Sequence, residues 1–526
     1  MPFVADDRPI LREGDNCWRL AMADRVAMLI DCADYFAAAK AAILQAKHSI
    51  WLLAWVFDPL TRLTPDQPVR SSDPEHADRL GLLLLRLATL NPALDVRVLT
   101  WDMPLPIAAS QLRAPQRGVS YFAGSRVKFR LDNTLPGSAC HHQKILVIDG
   151  RVAFLSGGDL GVDRWDTVDH TDRDPRRRRP DGRSYPPRHE VSMVVDGPAA
   201  QMLAEQFALR WKRATGETPP DPPDMTEDDH IPWPPDLAPD LRQHPVALAR
   251  TDPRWKDNPG VRECLELHLA AIAKARNLIY LENQYLTSPV IVAALKRRLG
   301  ELDGPEVVTV HPMHSPSYFD QMTMDSARTW AIGQLKKADR YGRFSAFTPR
   351  TPQDQLVIIH SKVAIIDDDF LRIGSANLNN RSLGLDSECD LALEAIQGPK
   401  GMETRAVIRA FRDRLVGHYM HRHPGEVSDA EDALGGLATA INGLDDGPCR
   451  CLPPFEVKPL TKIQKFIVRW RLGDPLATDD AWRPWIRNRR VEKALAEVAA
   501  RPDPVRPPKA GGPRRPAPSR RRATRR

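Results

Sequence analysis

The 526-residue sequence lacks a long hydrophobic run. Its longest apolar stretch, residues 50–57, falls far short of the roughly 20 residues that a bilayer-spanning helix needs, which excludes an integral membrane enzyme. Cysteine is scarce and scattered: seven residues at 17, 32, 140, 264, 389, 449 and 451. An odd count at wide spacing excludes a disulfide framework and a zinc array. Aromatics are thin at 6%, but 42% hydrophobic residues still suffice for a buried core. The body also lacks an excess of either charge. The net charge is +7, yet residues 501–526 hold ten Lys/Arg against the single acid Asp503, leaving −2 on the rest. A near-neutral body argues against a protein that coats nucleic acid. Residues 1–15 are mixed and polar, with no basic stretch leading into an apolar one. A cytoplasmic or membrane-peripheral protein is therefore expected, with leaderless secretion left open.

Proline, by contrast, is plentiful. Eight of the 48 prolines fall within residues 218–240, marking a semi-extended linker. The halves on either side of it look alike. Residues 46–57 align with 275–286 at an offset of 229, each following a segment of helical periodicity and reading as a buried strand. His142-Gln-Lys144-Ile-Leu-Val-Ile-Asp149 aligns with His360-Ser-Lys362-Val-Ala-Ile-Ile-Asp367 at an offset of 218. The alignment runs on through Gly157 and Asp159 over Ser375 and Asn377. It resumes with Glu190 over Glu388 after an arginine-rich insertion in residues 169–189. The economical reading is a duplicated α/β unit. We expect an N-terminal lobe (15–215), a Pro-rich linker (216–250), a C-terminal lobe (251–425), a helical extension (426–500) and a basic disordered tail (501–526).

Residues i and i+2 of a strand share a face, so His142 and Lys144 point together, as do His360 and Lys362. A pseudo-twofold axis would bring both pairs into one cleft. Two imidazoles facing a phosphodiester have complementary roles: one attacks phosphorus, and the other protonates the leaving alkoxide and later activates water or an alcohol. Two lysines would balance the charge on the non-bridging oxygens. Glu190 and Glu388 are candidates to hold the histidines' Nδ1 protons, each on a strand beside the motif of its own half. The stretches around Gly157, Asp159, Ser375 and Asn377 offer room and polar groups for phosphate. Asp149 and Asp367 complete the motifs and are counted with the catalytic set, although their turn position and opposite parity predict a structural job. Cys140-His141-His142 has no second cluster at ligand spacing, so no metal site and no cofactor is predicted.

These paired motifs resemble the HKD motifs of the phospholipase D superfamily, over roughly residues 15–425. Gly158-Asp159-Leu160 with Arg164-Trp165-Asp166, and the strand Ile279-Tyr-Leu-Glu282-Asn283-Gln284-Tyr285, are similar to segments of phospholipases D proper. The resemblance implies an α/β fold of two phospholipase D-like lobes, each a mixed sheet flanked by helices, related by a pseudo-twofold axis. It implies hydrolysis of a head-group phosphodiester, as in phosphatidylcholine, to phosphatidic acid through a phosphohistidine, with transfer to alcohols alongside. It also implies no obligatory metal for this chemistry, with His142 as nucleophile and His360 as acid. The alternatives within the same superfamily are a phosphatidyltransferase of cardiolipin synthase type, and a nuclease or other phosphodiesterase. We expect a monomer acting on phospholipid, without nucleic acid, whose basic tail can meet an anionic membrane.

Overall fold

The computed structural model describes residues 9–66, 78–111, 113–221, 230–447 and 449–500. The basic tail of 501–526 lies outside them. The β-branched and apolar runs form seventeen strands among the described residues. In the first half these are β1 (Arg19–Ile30), β2 (Ser49–Ala54), β3 (Asp95–Trp101), β4 (Lys128–Asp132), β5 (Ile145–Ile148), β6 (Val152–Ser156), β7 (Arg188–His189) and β8 (Val191–Asp196). The second half supplies β9 (Leu241–Asp252), β10 (Val261–Arg262), β11 (Leu278–Asn283), β12 (Glu306–Val310), β13 (Phe344–Phe347), β14 (Ile358–Ile359), β15 (Lys362–Ile366), β16 (Phe370–Gly374) and β17 (Glu388–Glu394).

Fifteen of these strands build one mixed sheet, in the order β13-β12-β11-β15-β16-β17-β9-β1-β8-β6-β5-β2-β3-β4, with β10 beside β9. The centre is the antiparallel pair β1–β9, in register Leu20↔Ala247. Outward from it, each half repeats one pattern. Four antiparallel contacts lead to β2 or β11, and two parallel contacts follow. The duplication is thus visible in topology, and the two lobes share one continuous sheet. One expected boundary moves. Residues 241–250, assigned to the linker, belong to β9 and form half of the lobe–lobe seam.

Helices cover both faces, so the inner strands are apolar on both sides. In β2, Trp51 and Leu53 join one core with Phe207 and Trp211 of the helix Pro198–Thr215; the Trp51 and Phe207 rings stack 5.1 Å apart. Ile50 and Leu52 turn to the opposite core with Phe36 of the helix Cys32–Ile43. This period-two alternation fixes register, because a one-residue slip would exchange the two sets. Beyond the second lobe come the helices Pro424–Leu434, Leu437–Leu444, Lys462–Trp470 and Pro484–Ala500. Val498 of the last one packs into the second lobe's core. Among the described residues, no helix is long and apolar enough to cross a membrane.

Candidate active site

Each motif begins where one lobe's backbone pairs with the other's. The amide of His142 donates to the Ser387 carbonyl at 2.9 Å, and the Ser387 amide to the Cys140 carbonyl at 3.0 Å. Symmetrically, β14 runs parallel to β7, Ile359 beside His189, and the His360 amide donates to the His189 carbonyl at 2.9 Å. The residue after Ser387 is Glu388, and the residue after His189 is Glu190. The backbone pairing therefore sets each carboxylate against the histidine of the opposite lobe. His142 Nδ1 lies 2.9 Å from Glu388 Oε2, and His360 Nδ1 lies 2.6 Å from Glu190 Oε2. The expectation that each glutamate serves its own half's motif is corrected here. Repeat alignment equates Glu190 with Glu388 but carries no information on which histidine each one meets.

With Nδ1 engaged, Nε2 is the nitrogen left for the cleft. The histidine side chains are 15% and 12% exposed, whereas Glu388 and Glu190 are buried. Burial holds both imidazoles well below the ordinary histidine range, and Lys144 and Lys362 act on each of them in the same sense. Burial likewise pushes the carboxyls of Glu190 and Glu388 up to about 7, against the pull of the lysines. Each Nδ1–Oε2 contact can hold a proton, and Nε2 is the nitrogen that can offer a lone pair or carry a second proton. Lys144 Nζ donates to the His142 carbonyl at 2.6 Å. Lys362 Nζ donates to its own motif's His360 carbonyl, lies 2.9 Å from His360 Nδ1 and donates, at 3.3 Å, to the Gly157 carbonyl of the other lobe. Burial lowers the Lys362 ammonium to about 7.

Of the residues expected to bind phosphate, Ser375 and Asp159 have other partners. The Ser375 hydroxyl donates to Glu388 and accepts from the Cys389 amide at 3.0 Å, so it steadies the carboxylate. Asp159 accepts the Trp55 amide at 2.8 Å. A Cβ on Gly157 would meet Glu190 Oε1 at 2.4 Å, and one on Gly158 would meet Oε2 at 2.3 Å, so these glycines make room for Glu190. Asn377 is buried, its Oδ1 without a hydrogen bond. Asp149 and Asp367 stand at the far ends of the strands that follow the motif histidines. Asp149 accepts the amides of Lys47, His48 and Ser49 at 2.9, 2.8 and 2.7 Å. Asp367 accepts those of Arg276, Asn277 and Leu278 at 2.6, 2.7 and 2.7 Å. They anchor the starts of β2 and β11, and their placement in the catalytic set is corrected to a structural one. His141 points away from His142, between Ser387 and Asp132, each 2.9 Å away.

A family model described as "Cardiolipin synthase, PLD-like domain" matches residues 268–400. Phospholipase D A of Dictyostelium discoideum is 24% identical over 440 residues, covering 70% of this chain and 32% of that protein. Phospholipase D alpha 3 of Arabidopsis thaliana is 24% identical, covering 68% and 58%. Cardiolipin synthase A of Pseudomonas putida is 28% identical, covering 68% and 64%. The chain belongs to the phospholipase D superfamily. It spans about a third to two thirds of the length of these curated relatives. A solved structure, the phosphatidylserine synthase of Haemophilus influenzae, aligns with a TM-score of 0.49 at 14% identity, covering 75% of this chain and 86% of that one.

Two further features of this phospholipase D-superfamily chain surround the couples. Arg188, buried beside Glu190, leaves its Nη1 without a hydrogen bond and is held down to about 10 by burial and Arg164. Both guanidiniums act on His360. Sequence reasoning missed Arg188, although its place two residues before a candidate glutamate was a usable signal. The arginine-rich insertion is largely self-neutralised. Arg177 Nη1 donates to the buried Asp166 at 2.8 Å, Arg176 pairs with Asp174 at 2.6 Å, and Arg179 with Asp163 at 2.9 Å. Behind the His360 couple lie Asp31, His170, His189 and His418, with possible ligand atoms all within 4.8 Å of one another.

Proposed function

We propose that this chain is a phospholipase D, acting as a monomer. It transfers the phosphatidyl group of a phospholipid such as phosphatidylcholine first to a histidine and then to water, giving phosphatidic acid, or to an alcohol. The observation that carries this reading is the pair of crossed Glu–His couples, each leaving Nε2 to a site flanked by two buried lysines. His142 Nε2 attacks phosphorus, and Glu388 takes up the positive charge growing on the ring. His360, entering the step as an imidazolium whose charge Glu190 balances, gives its Nε2 proton to the leaving head-group oxygen and then takes one from the incoming water or alcohol. Lys144 and Lys362, with Arg188, offset the charge that accumulates on the non-bridging oxygens.

A lipid substrate is supported by the relatives' names and by one surface. The helix Lys462–Trp470 buries none of its residues, and it exposes Ile463 and Phe466 beside Lys462, Lys465 and Arg469. Trp482 and Trp485 are exposed nearby in the chain. An amphipathic basic helix with neighbouring tryptophans suits the interface of an anionic membrane, and the basic tail would add to that attraction.

The test is mass spectrometry of products from a mixed phospholipid extract, with and without ethanol, beside a labelled oligonucleotide. Phosphatidic acid and, with ethanol, phosphatidylethanol are expected, with loss of both in His142→Ala and in His360→Ala. Cleavage of the oligonucleotide alone would overturn the lipid reading. A second reading, transfer between two phosphatidylglycerols to give cardiolipin, is favoured by the family model over residues 268–400 and by the 28% identical relative. It predicts cardiolipin in place of phosphatidic acid when phosphatidylglycerol is the only lipid.

A further inference from the structure

The cluster behind His360 is buried and rich in metal-ligand chemistry, yet several of its atoms have no bonding partner. Asp31 Oδ1 is fully engaged, accepting from His189 Nδ1 and from the Glu190 amide, each at 3.0 Å. Its second oxygen, Oδ2, has no hydrogen bond among the described residues, although Asp31 is only 1% exposed. His170 donates Nδ1 to Asp166 Oδ2 at 2.9 Å, which leaves the Nε2 lone pair facing Asp31 Oδ2 at 3.6 Å. His170 Nε2 is likewise buried without a hydrogen bond. His418 leans over both rings, its centroid 4.8 Å from that of His189 and 5.5 Å from that of His170. Neither of its nitrogens makes a well-formed hydrogen bond among the described residues, the backbone of Arg414 and Leu415 one turn back being its nearest polar company.

His189 already spends both ring nitrogens, on Asp31 Oδ1 at 3.0 Å and on Glu282 Oε2 at 2.9 Å, so it offers no lone pair. Those of Asp31 Oδ2, His170 and His418 converge in a low-dielectric interior, where they repel unless something positive lies between them. A proton shared by His170 and Asp31 would satisfy two of these groups and leave His418 unsatisfied. A cation with several open valences satisfies all three. We propose that Asp31, His170 and His418, with His189 beside them, bind one divalent transition-metal ion of the zinc class between the two lobes.

The donor set points to that class, since imidazoles with one carboxylate suit zinc and its neighbours, whereas calcium and magnesium require oxygen ligands. Tetrahedral ligand atoms about 2.0–2.1 Å from zinc lie about 3.4 Å apart; His170 Nε2 and Asp31 Oδ2 are already at 3.6 Å, and the widest separation in the cluster, up to 4.8 Å, would have to close on binding. The outer shell is already in place. Asp166 orients His170 and is itself held by Arg177, while His189 and the Glu190 amide orient Asp31. Carboxylate–histidine–metal relays of this kind fix ring orientation in metal sites. His418 is the one partly exposed member, which provides an entry route.

The ion would be structural. Asp31, His170 and His189 come from the first lobe, and His418 from the helix Pro399–Tyr419 of the second. The same Asp31 carboxylate that ligates the ion holds the Glu190 amide, one residue along from the contact between His189 and His360. The site would thus tie the lobes together behind one catalytic couple, and it rests on no assumption about the substrate.

The test uses the full chain, stripped with a chelator and then titrated with Zn2+ against a colorimetric competitor. One equivalent bound at submicromolar affinity, with a rise in Tm, is expected. His170→Ala and His418→Ala should each weaken binding about tenfold or more, with folding checked by circular dichroism. His142→Ala and Cys449→Ser should keep the full equivalent, which separates this site from the catalytic histidine and from the exposed thiol. The proposal is overturned if the wild-type protein binds no zinc and gains no Tm, or if a folded His170→Ala/His418→Ala double variant binds as the wild type does.

Discussion

The carboxylate of Glu388 lies 2.9 Å from Nδ1 of His142, across the boundary between the two lobes. Glu190 makes the reciprocal contact with His360 at 2.6 Å. Neither lobe therefore contains a complete Glu–His couple, and the proposed chemistry would depend on the β1–β9 seam and on the strand pairs that cross it. Glu388→Gln keeps the shape but cannot take up the charge of an imidazolium. We expect head-group release to fall by about 10²–10⁴ in kcat, with circular dichroism unchanged. Glu190→Gln should act likewise, and either variant turning over near the wild-type rate would remove the couples from the mechanism.

Lys362 gives a pH signature. Burial lowers its ammonium from 10.5 to about 7, so the charge that meets a phosphate is lost as pH rises through that value. Inhibition by inorganic phosphate should weaken above pH 7 in the wild-type protein. Lys362→Arg keeps a permanent charge, which also holds Glu190 ionised, and the loss should leave this window. Unfolding cannot imitate the effect through this residue. Between about 7 and 10.5 the unfolded chain binds the extra proton, so this lysine makes the fold more stable as pH rises. A phosphate inhibition constant that stays flat across pH 6–9 would sink the assignment.

Much of this arrangement was legible in the sequence, for local reasons. Strand parity put His142 with Lys144 and His360 with Lys362, and the duplication called for a pseudo-twofold. The pairing of glutamates with histidines was not legible. Glu190 and Glu388 lie 170 and 246 residues from their partners, and equivalence between repeats says nothing about contacts across them. The start of β9 was hidden because Pro245 and the prolines before it read as linker, although Pro245 sits within the strand opposite Met22. Asp31, His170, His189 and His418 were invisible as a group, because no two share a spacing typical of a metal motif and the fold alone brings them together.

Gly157 offers a steric test. A methyl group there would meet Glu190 Oε1 at 2.4 Å and Lys362 Cδ at 3.1 Å. In Gly157→Ala the carboxylate must move, since it is the less constrained partner, and His360 loses its anchor. Activity should fall by about tenfold or more, as misplacement of about an ångström costs up to 10²-fold. Tm should change little by comparison. If Gly157→Ala keeps full activity, the glycine is not what admits Glu190.

Asp149 is where motif membership and chemical role separate. Three backbone amides, of Lys47, His48 and Ser49, donate to its carboxylate at the start of β2. At the equivalent position, Asp367 does the same for β11. Asp149→Ala leaves those donors unsatisfied at the edge of the core. Hydrogen bonds to a charged acceptor contribute about 1.5–3 kcal/mol, and their loss here, partly relieved by water, should cost about 2–4 kcal/mol in denaturant unfolding. The rate per folded molecule should stay within a few-fold of wild type, measured at a temperature where the variant is fully native. A variant of unchanged stability but abolished turnover would return this aspartate to the catalytic set, and with it Asp367.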